Sequence, residues 1–242
     1  MGAPQRYADG VTNIGKAKTL SEMPMLDPTK VYGYFNDFFE WTATDWIVST
    51  IEAGAGAATE AISDTETGGA VVITNDAGAD DFDFFQLSRD GGINDSEVFY
   101  FATGKKAWFK IRFKGNDVDQ SEYMAGIHIV NADPRNAAPT DGVWFESDDE
   151  TGQVDLVIVK DSSRTVASGI CTMIDDTYVS LGYYWDGVTT VHYFVNDVEI
   201  GSIGVGTSLP DDEYLALSFG HENGEAVANT MTVDYIGAWM ER

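Results

Sequence analysis

The sequence is poor in cysteine, in cations and in helical patterning, and each shortage excludes something. A single cysteine, Cys171, rules out an intrachain disulfide. It fits folding in a reducing cytoplasm, and its small, apolar neighbours suggest a buried structural thiol. Lysine and arginine total 14 against 40 acidic residues, a formal charge of −26. Such a surface repels nucleic acid, whose binding needs cations at phosphates, and repels anionic membranes. No apolar run reaches membrane-spanning length, and the opening MGAPQRYADG lacks the layout of a signal peptide. The three histidines, His128, His192 and His221, match no zinc spacing. No G-x-S-x-G, P-loop or G-x-G-x-x-G motif occurs, nor any basic patch interleaved with aromatics.

What is present is a β pattern. From Thr44 to Met240 the chain reads as roughly a dozen short alternating strands separated by Gly, Asn and Asp turns. The 43% hydrophobic and 12% aromatic content supplies a core, and the length suits one all-β domain. In Ala107–Lys114, Phe109, Ile111 and Phe113 alternate with Lys110, Arg112 and Lys114, as in a strand with one buried face. Three cations on one face of so acidic a chain are expected to pair with acids on neighbouring strands. Asn196-Asp197 predicts a two-residue hairpin. Further strands are expected at Phe82–Leu87, Glu97–Ala102, Tyr123–Val130, Val154–Lys160, Thr165–Ala167, Ile170–Met173 and Tyr178–Trp185, among others. Closely spaced turns without crossover helices give two antiparallel sheets packed face to face. The aromatic run from Tyr32 to Trp41 is expected to open the sandwich or cover its edge.

Residues 1–30 differ. Arg6, Lys16, Lys18 and Lys30 stand against Asp9, Glu22 and Asp27, a net of +1, leaving −27 for the remainder. The segment contains three prolines and no alternation. It reads as an extended arm ahead of a sandwich domain over 31–242, with its four cations as the partner-binding residues, or else as a frayed terminus.

Few residues suggest chemistry. Glu146, Asp148 and Glu150 have the i, i+2, i+4 spacing that would share a strand face, and paired carboxylates about 5–5.5 Å apart are what a retaining glycosidase needs. The intervening Ser147 and Asp149, followed by Thr151-Gly152, instead suggest a solvated hairpin tip. Asp76, Asp80, Asp81 and Asp83 form an oxygen-rich loop that could hold Ca²⁺ or simply be solvated; Asp117/Asp119 and Asp211/Asp212 carry less weight. No cofactor is otherwise expected. Trp144, Trp185 and Trp239 are candidate sugar-stacking residues, each also fitting a core-facing strand position.

Several segments resemble concanavalin A-like, laminin-G-type jelly rolls, most closely a group among the structural proteins of tailed bacteriophages. They include Asp45-Trp46, Gly69-Ala70-Val71-Val72, Lys106 to Phe113, Asp141 to Phe145, the hairpin from Tyr184-Trp185-Asp186-Gly187 to Phe194-Val195-Asn196-Asp197, and Thr232 to Ile236. The front end, Pro28 to Phe38, is also similar. The resemblance implies a non-enzymatic virion protein, a capsid decoration or cement protein on the outer shell, folded in a host cytoplasm. Its implied partners are the major capsid protein and copies of itself, a trimer being the expected oligomer. The alternative it leaves open is a lectin-like module for surface glycans, with glycoside hydrolysis third.

Overall fold

The computed structural model describes residues 27–52, 56–88 and 96–242. Arg6, Lys16 and Lys18 lie outside these residues. Lys30 belongs to a turn over 28–30 whose backbone is tied at both ends: Lys30 N donates to Asp27 O, and Arg242 N donates to Lys30 O.

Fifteen strands form two antiparallel sheets among the described residues. They are β1 (Val31–Asn36), β2 (Trp46–Ile51), β3 (Thr59–Ile62), β4 (Val71–Thr74), β5 (Phe82–Leu87), β6 (Ala107–Gly115), β7 (Ser121–His128), β8 (Gly142–Ser147), β9 (Gln153–Lys160), β10 (Ser163–Thr172), β11 (Val179–Trp185), β12 (Thr190–Val195), β13 (Val198–Gly204), β14 (Ala216–Asn223) and β15 (Thr230–Glu241). One sheet runs β13-β12-β11-β6-β15-β4-β3, with β1 also on β15; the other runs β10-β9-β8-β7-β14-β5-β2. Among the described residues the only helical element is a three-residue turn at Ala43–Asp45, and no helix is long and apolar enough to cross a membrane. The all-β jelly-roll sandwich is the fold.

The main core fills the space between the sheets. Phe109, Ile111 and Phe113 of β6 meet Tyr123, Ala125 and Ile127 of β7 and Val143 and Phe145 of β8. Alternation puts Trp108, Lys110, Arg112 and Lys114 on the opposite face of β6. Their pairing with acids holds: Lys110 with Asp197, Arg112 with Asp234, Lys114 with Glu66. Asp197 sits in the β12–β13 turn and Asp234 at a bulge in β15, where the register against β6 shifts between Val233 and Tyr235. Asn196 and Asp197 both take positive φ, 50° and 66°, as a two-residue turn matching strand twist requires.

Three expected strands differ. Glu97–Ala102 is not a strand; it contributes one bridge, Phe99 to Leu215. Thr165–Ala167 and Ile170–Thr172 belong to one strand, β10, which ends one residue short of the expected Met173 and has a bulge between Ala167 and Cys171. Gly169 takes a positive φ of 64° there, and its N–H donates to Asp155, so the chain kinks without leaving the sheet.

Candidate functional site

The two outer faces of the sandwich are unlike each other. On the seven-stranded sheet the central outward residues are themselves buried. Phe82, Phe84, Met124, Trp144, Val157 and Val159 form a second apolar cluster, separate from the main core. The connection between β7 and β8 lies across this face as a strap. Asn131 N donates to Gln86 Oε1 and Gln86 Nε2 donates back to Asn131 O. Further along, Arg135 donates two N–H groups to Glu122 Oε2 and one to the Ser147 carbonyl.

Beneath Arg135 the register places Glu222 of β14 directly opposite Glu122 of β7. Glu222 is only 6% exposed and its Oε2 has no hydrogen-bond partner among the described residues. Burial first, then the Glu122 charge, push its carboxyl up to about 7. His128, on the same face, packs edge-on against Trp144, and burial lowers its imidazole to about 4. This face is filled and strapped.

Glu146, Asp148 and Glu150 do not converge here. Glu146 faces outward, accepting from Trp144 Nε1 at 2.7 Å and from Arg164. Asp148 caps the following turn through the N–H groups of Glu150 and Thr151 and the Thr151 hydroxyl. The hairpin-tip reading stands.

The Asp76–Asp83 loop is stapled by amides. Asn75 Nδ2 donates to the carbonyls of Asp81 and His221, and Asn223 Nδ2 to those of Asp76 and Gly78. Asp83 accepts from the Thr50 hydroxyl, and burial raises its carboxyl to about 7. Among the described residues the carboxylates that do converge are Asp117, Asp119 and Asp175, with oxygens within 4.8 Å of one another at the surface. Asp211 and Asp212 both pair with Lys160.

The eight-stranded sheet is different: its outer face carries an open, aromatic groove of about 690 Å³, within the size range of small-ligand sites. Strand register explains it. One rung across the sheet reads Gly33, Trp239, Trp108, Tyr184, His192. The next rung on the same face reads Phe35, Gly237, Lys110, Gly182, Phe194. On one side of Lys110, Gly182 leaves the second rung low; on the other, Gly237 makes room for the Trp239 ring, and aromatics close the ends. A Cβ on Gly33 would stand 2.5 Å from Trp239 Cδ1, and one on Gly237 would stand 2.4 Å from Trp239 Cη2. The indole therefore lies flat over two glycines, with Phe35 stacked beside it at 6.1 Å. Trp108 and Tyr184 stack at 5.6 Å and 25°, and Tyr184 meets His192 at 5.7 Å.

The polar groups of the groove are Lys110, Asp197 and Ser180. Lys110 Nζ lies 2.5 Å from Asp197 Oδ1 and 5.4 Å from the centroid of Tyr235. His192 Nδ1 lies 2.7 Å from Glu199.

Of the three tryptophans singled out in the sequence, Trp144 and Trp185 are fully buried and Trp239 is half-buried in the groove. A core position for Trp239 is thus corrected: the strand parity that buries Ile236, Ala238 and Met240 turns it outward. Trp108 and Tyr184 carry the family resemblance in the sequence but no stacking role there, although both stand at odd parity to Phe109 and Tyr183, which is the legible signal.

No protein-family model matches the chain, and no curated protein matches its sequence. Solved structures do share the fold. A protein of unknown function from Shewanella oneidensis MR-1 superposes with a TM-score of 0.57 at 14% identity, over 92% of this chain and 91% of that one. The endo-1,3-β-glucanase of Streptomyces sioyaensis superposes at 0.55 and 11%, over 89% and 98%. The carbohydrate recognition domain of Emp46p superposes at 0.56 and 9%, over 84% and 94%. At these identities the likeness is one of fold, and the neighbours are concanavalin A-like jelly rolls. It gives no support to a phage origin or a capsid role. The expectation of a non-enzymatic chain is also corrected, because the same fold carries glucanases; the architecture does not argue against catalysis.

Proposed function

We propose that this protein is a carbohydrate-binding β-sandwich whose site is the aromatic groove on the outer face of the eight-stranded sheet. The observation that carries the reading is the flat indole of Trp239, laid over Gly33 and Gly237 with one face open to the groove that Trp108 and Tyr184 also line. A pyranose ring offers a flat apolar face of C–H groups, and a flat aromatic is the surface that buries it at least entropic cost. Hydroxyls at the ring edge then need donors and acceptors nearby, which Lys110, Asp197 and Ser180 supply. The fold neighbours lend support, since one is named a glucanase and another a carbohydrate recognition domain.

The test is titration calorimetry of the full chain against a panel of oligosaccharides, with Trp239→Ala alongside. At least one glycan is expected to bind, and Trp239→Ala to weaken it about tenfold or more. Unchanged affinity in that variant would refute this placement of the site.

A further inference from the structure

We infer that the groove selects an uncharged glycan and reads a vicinal pair of its hydroxyls through the Lys110–Asp197 ion pair; this rests on the glycan-binding reading above. The cations of β6 would at first suggest an anionic ligand. Each is already matched. Lys110 faces Asp197 at 2.5 Å and Lys114 faces Glu66 at 2.8 Å. Arg112 pairs with Asp234 while its guanidinium lies 4.1 Å from the centroid of Tyr178. His192 carries Glu199. With His192 neutral, these groups total three positive and four negative charges, on a chain of net −26. A uronan would approach a surface of its own sign and would have to displace a carboxylate from its cation.

Hydroxyl groups face no such barrier. An ammonium has three donors and a carboxylate roughly four acceptor positions, so their mutual contact leaves capacity on both. One hydroxyl can accept from Lys110 while its neighbour on the ring donates to Asp197. Both residues line the groove together with Trp239 and Trp108, so the polar pair sits beside the stacking surface. Gly182 keeps the approach to Lys110 low on the side away from the indole.

Asp197→Asn tests this. Asparagine keeps the shape and accepts the left-handed backbone that φ of 66° demands, so the turn survives while Lys110 loses its counter-charge. Wild-type and variant chains are titrated with a neutral β-glucan oligosaccharide and with a uronan oligosaccharide, at low and high salt. The wild type is expected to bind the neutral chain with little salt dependence and to ignore the uronan. The variant is expected to bind the neutral chain about fivefold more weakly and to gain uronan binding that salt removes. Salt-sensitive uronan binding by the wild type would overturn the selectivity while leaving a glycan site in place. A variant identical to wild type on both ligands would overturn the role of the ion pair. Failure of both glycans to bind the wild type would overturn the glycan reading itself, and the inference with it.

Discussion

Replacing Glu222 by glutamine should stabilise this protein, and only above mildly acidic pH. Glu222 lies opposite Glu122 with one carboxylate oxygen unpartnered, and the single guanidinium nearby, Arg135, is given to Glu122. Asp80 and Asp133 add further negative charge around it. Its carboxyl rises from an ordinary 4.5 to about 7. The unfolded chain therefore releases this proton near pH 4.5, while the folded chain holds it until about 7. Stability from this group is complete below pH 4.5 and is lost as pH rises through 7. At 1.36 kcal/mol for each tenfold step in proton affinity, the full loss is about 3 kcal/mol. Glutamine keeps the shape without the titration. Wild type and Glu222→Gln should unfold alike in urea near pH 4. By pH 8 the variant should be ahead by up to about 3 kcal/mol, or about 6–12 °C in melting temperature for a chain of this size. The difference between the two chains is the quantity to measure. Asp83 titrates in the same sense, while the buried His128 and His221, lowered to about 4, lose stability as pH falls from 6.5 to 4. Those contributions cancel in the comparison. A variant less stable than wild type at pH 8 would refute the reasoning, because it would mean that Glu222 is ionised and held by Arg135.

Gly237→Ala puts a methyl where the Trp239 indole lies, so the ring must lift; glycan affinity should fall about as far as in Trp239→Ala, with a blue or red shift in tryptophan emission reporting the displaced ring. Cys171 is half-buried, unpaired, and raised to about 11 by desolvation. It should resist thiol reagents at pH 7 in the native state and react at once in denaturant; rapid native labelling would contradict the packing of β10.

The fold was legible where local pattern and burial agree. β6 alternates cleanly because one of its faces is core, and Asn196-Asp197 announces its turn because few other residues accept two consecutive left-handed positions. The run Phe82-Asp83-Phe84-Phe85 alternates poorly because β5 is buried on both faces. Glu97–Ala102 has strand composition yet pairs only at Phe99, since β14 gives its ladder to β5 and β7. The site was harder to read. Trp108, Tyr184 and Trp239 lie far apart in sequence and meet only because β15, β6 and β11 are neighbours in a particular register. A one-residue slip of β15 would have buried Trp239, so parity within each strand was readable, but the rung was not. The glycines that seat the indole show no signal at all until the register is known.

β15 is twelve residues long and no single strand covers its second edge: β4 pairs with Thr230–Val233 and β1 with Ile236–Glu241. β1 is thus a separate tile on that edge. It carries Gly33, on which the Trp239 ring rests, and Phe35, which stacks against that ring. Detaching it would dismantle the proposed sugar platform and, in the same event, bare six residues of β15 backbone, Ile236–Glu241, the sort of edge that recruits a strand from another chain. If the tile came from a second copy, the register would rebuild the platform from two polypeptides. If the groove binds glycan as proposed, occupancy and retention of β1 would be coupled, and a bound glycan would act as a clasp that keeps the first strand in place.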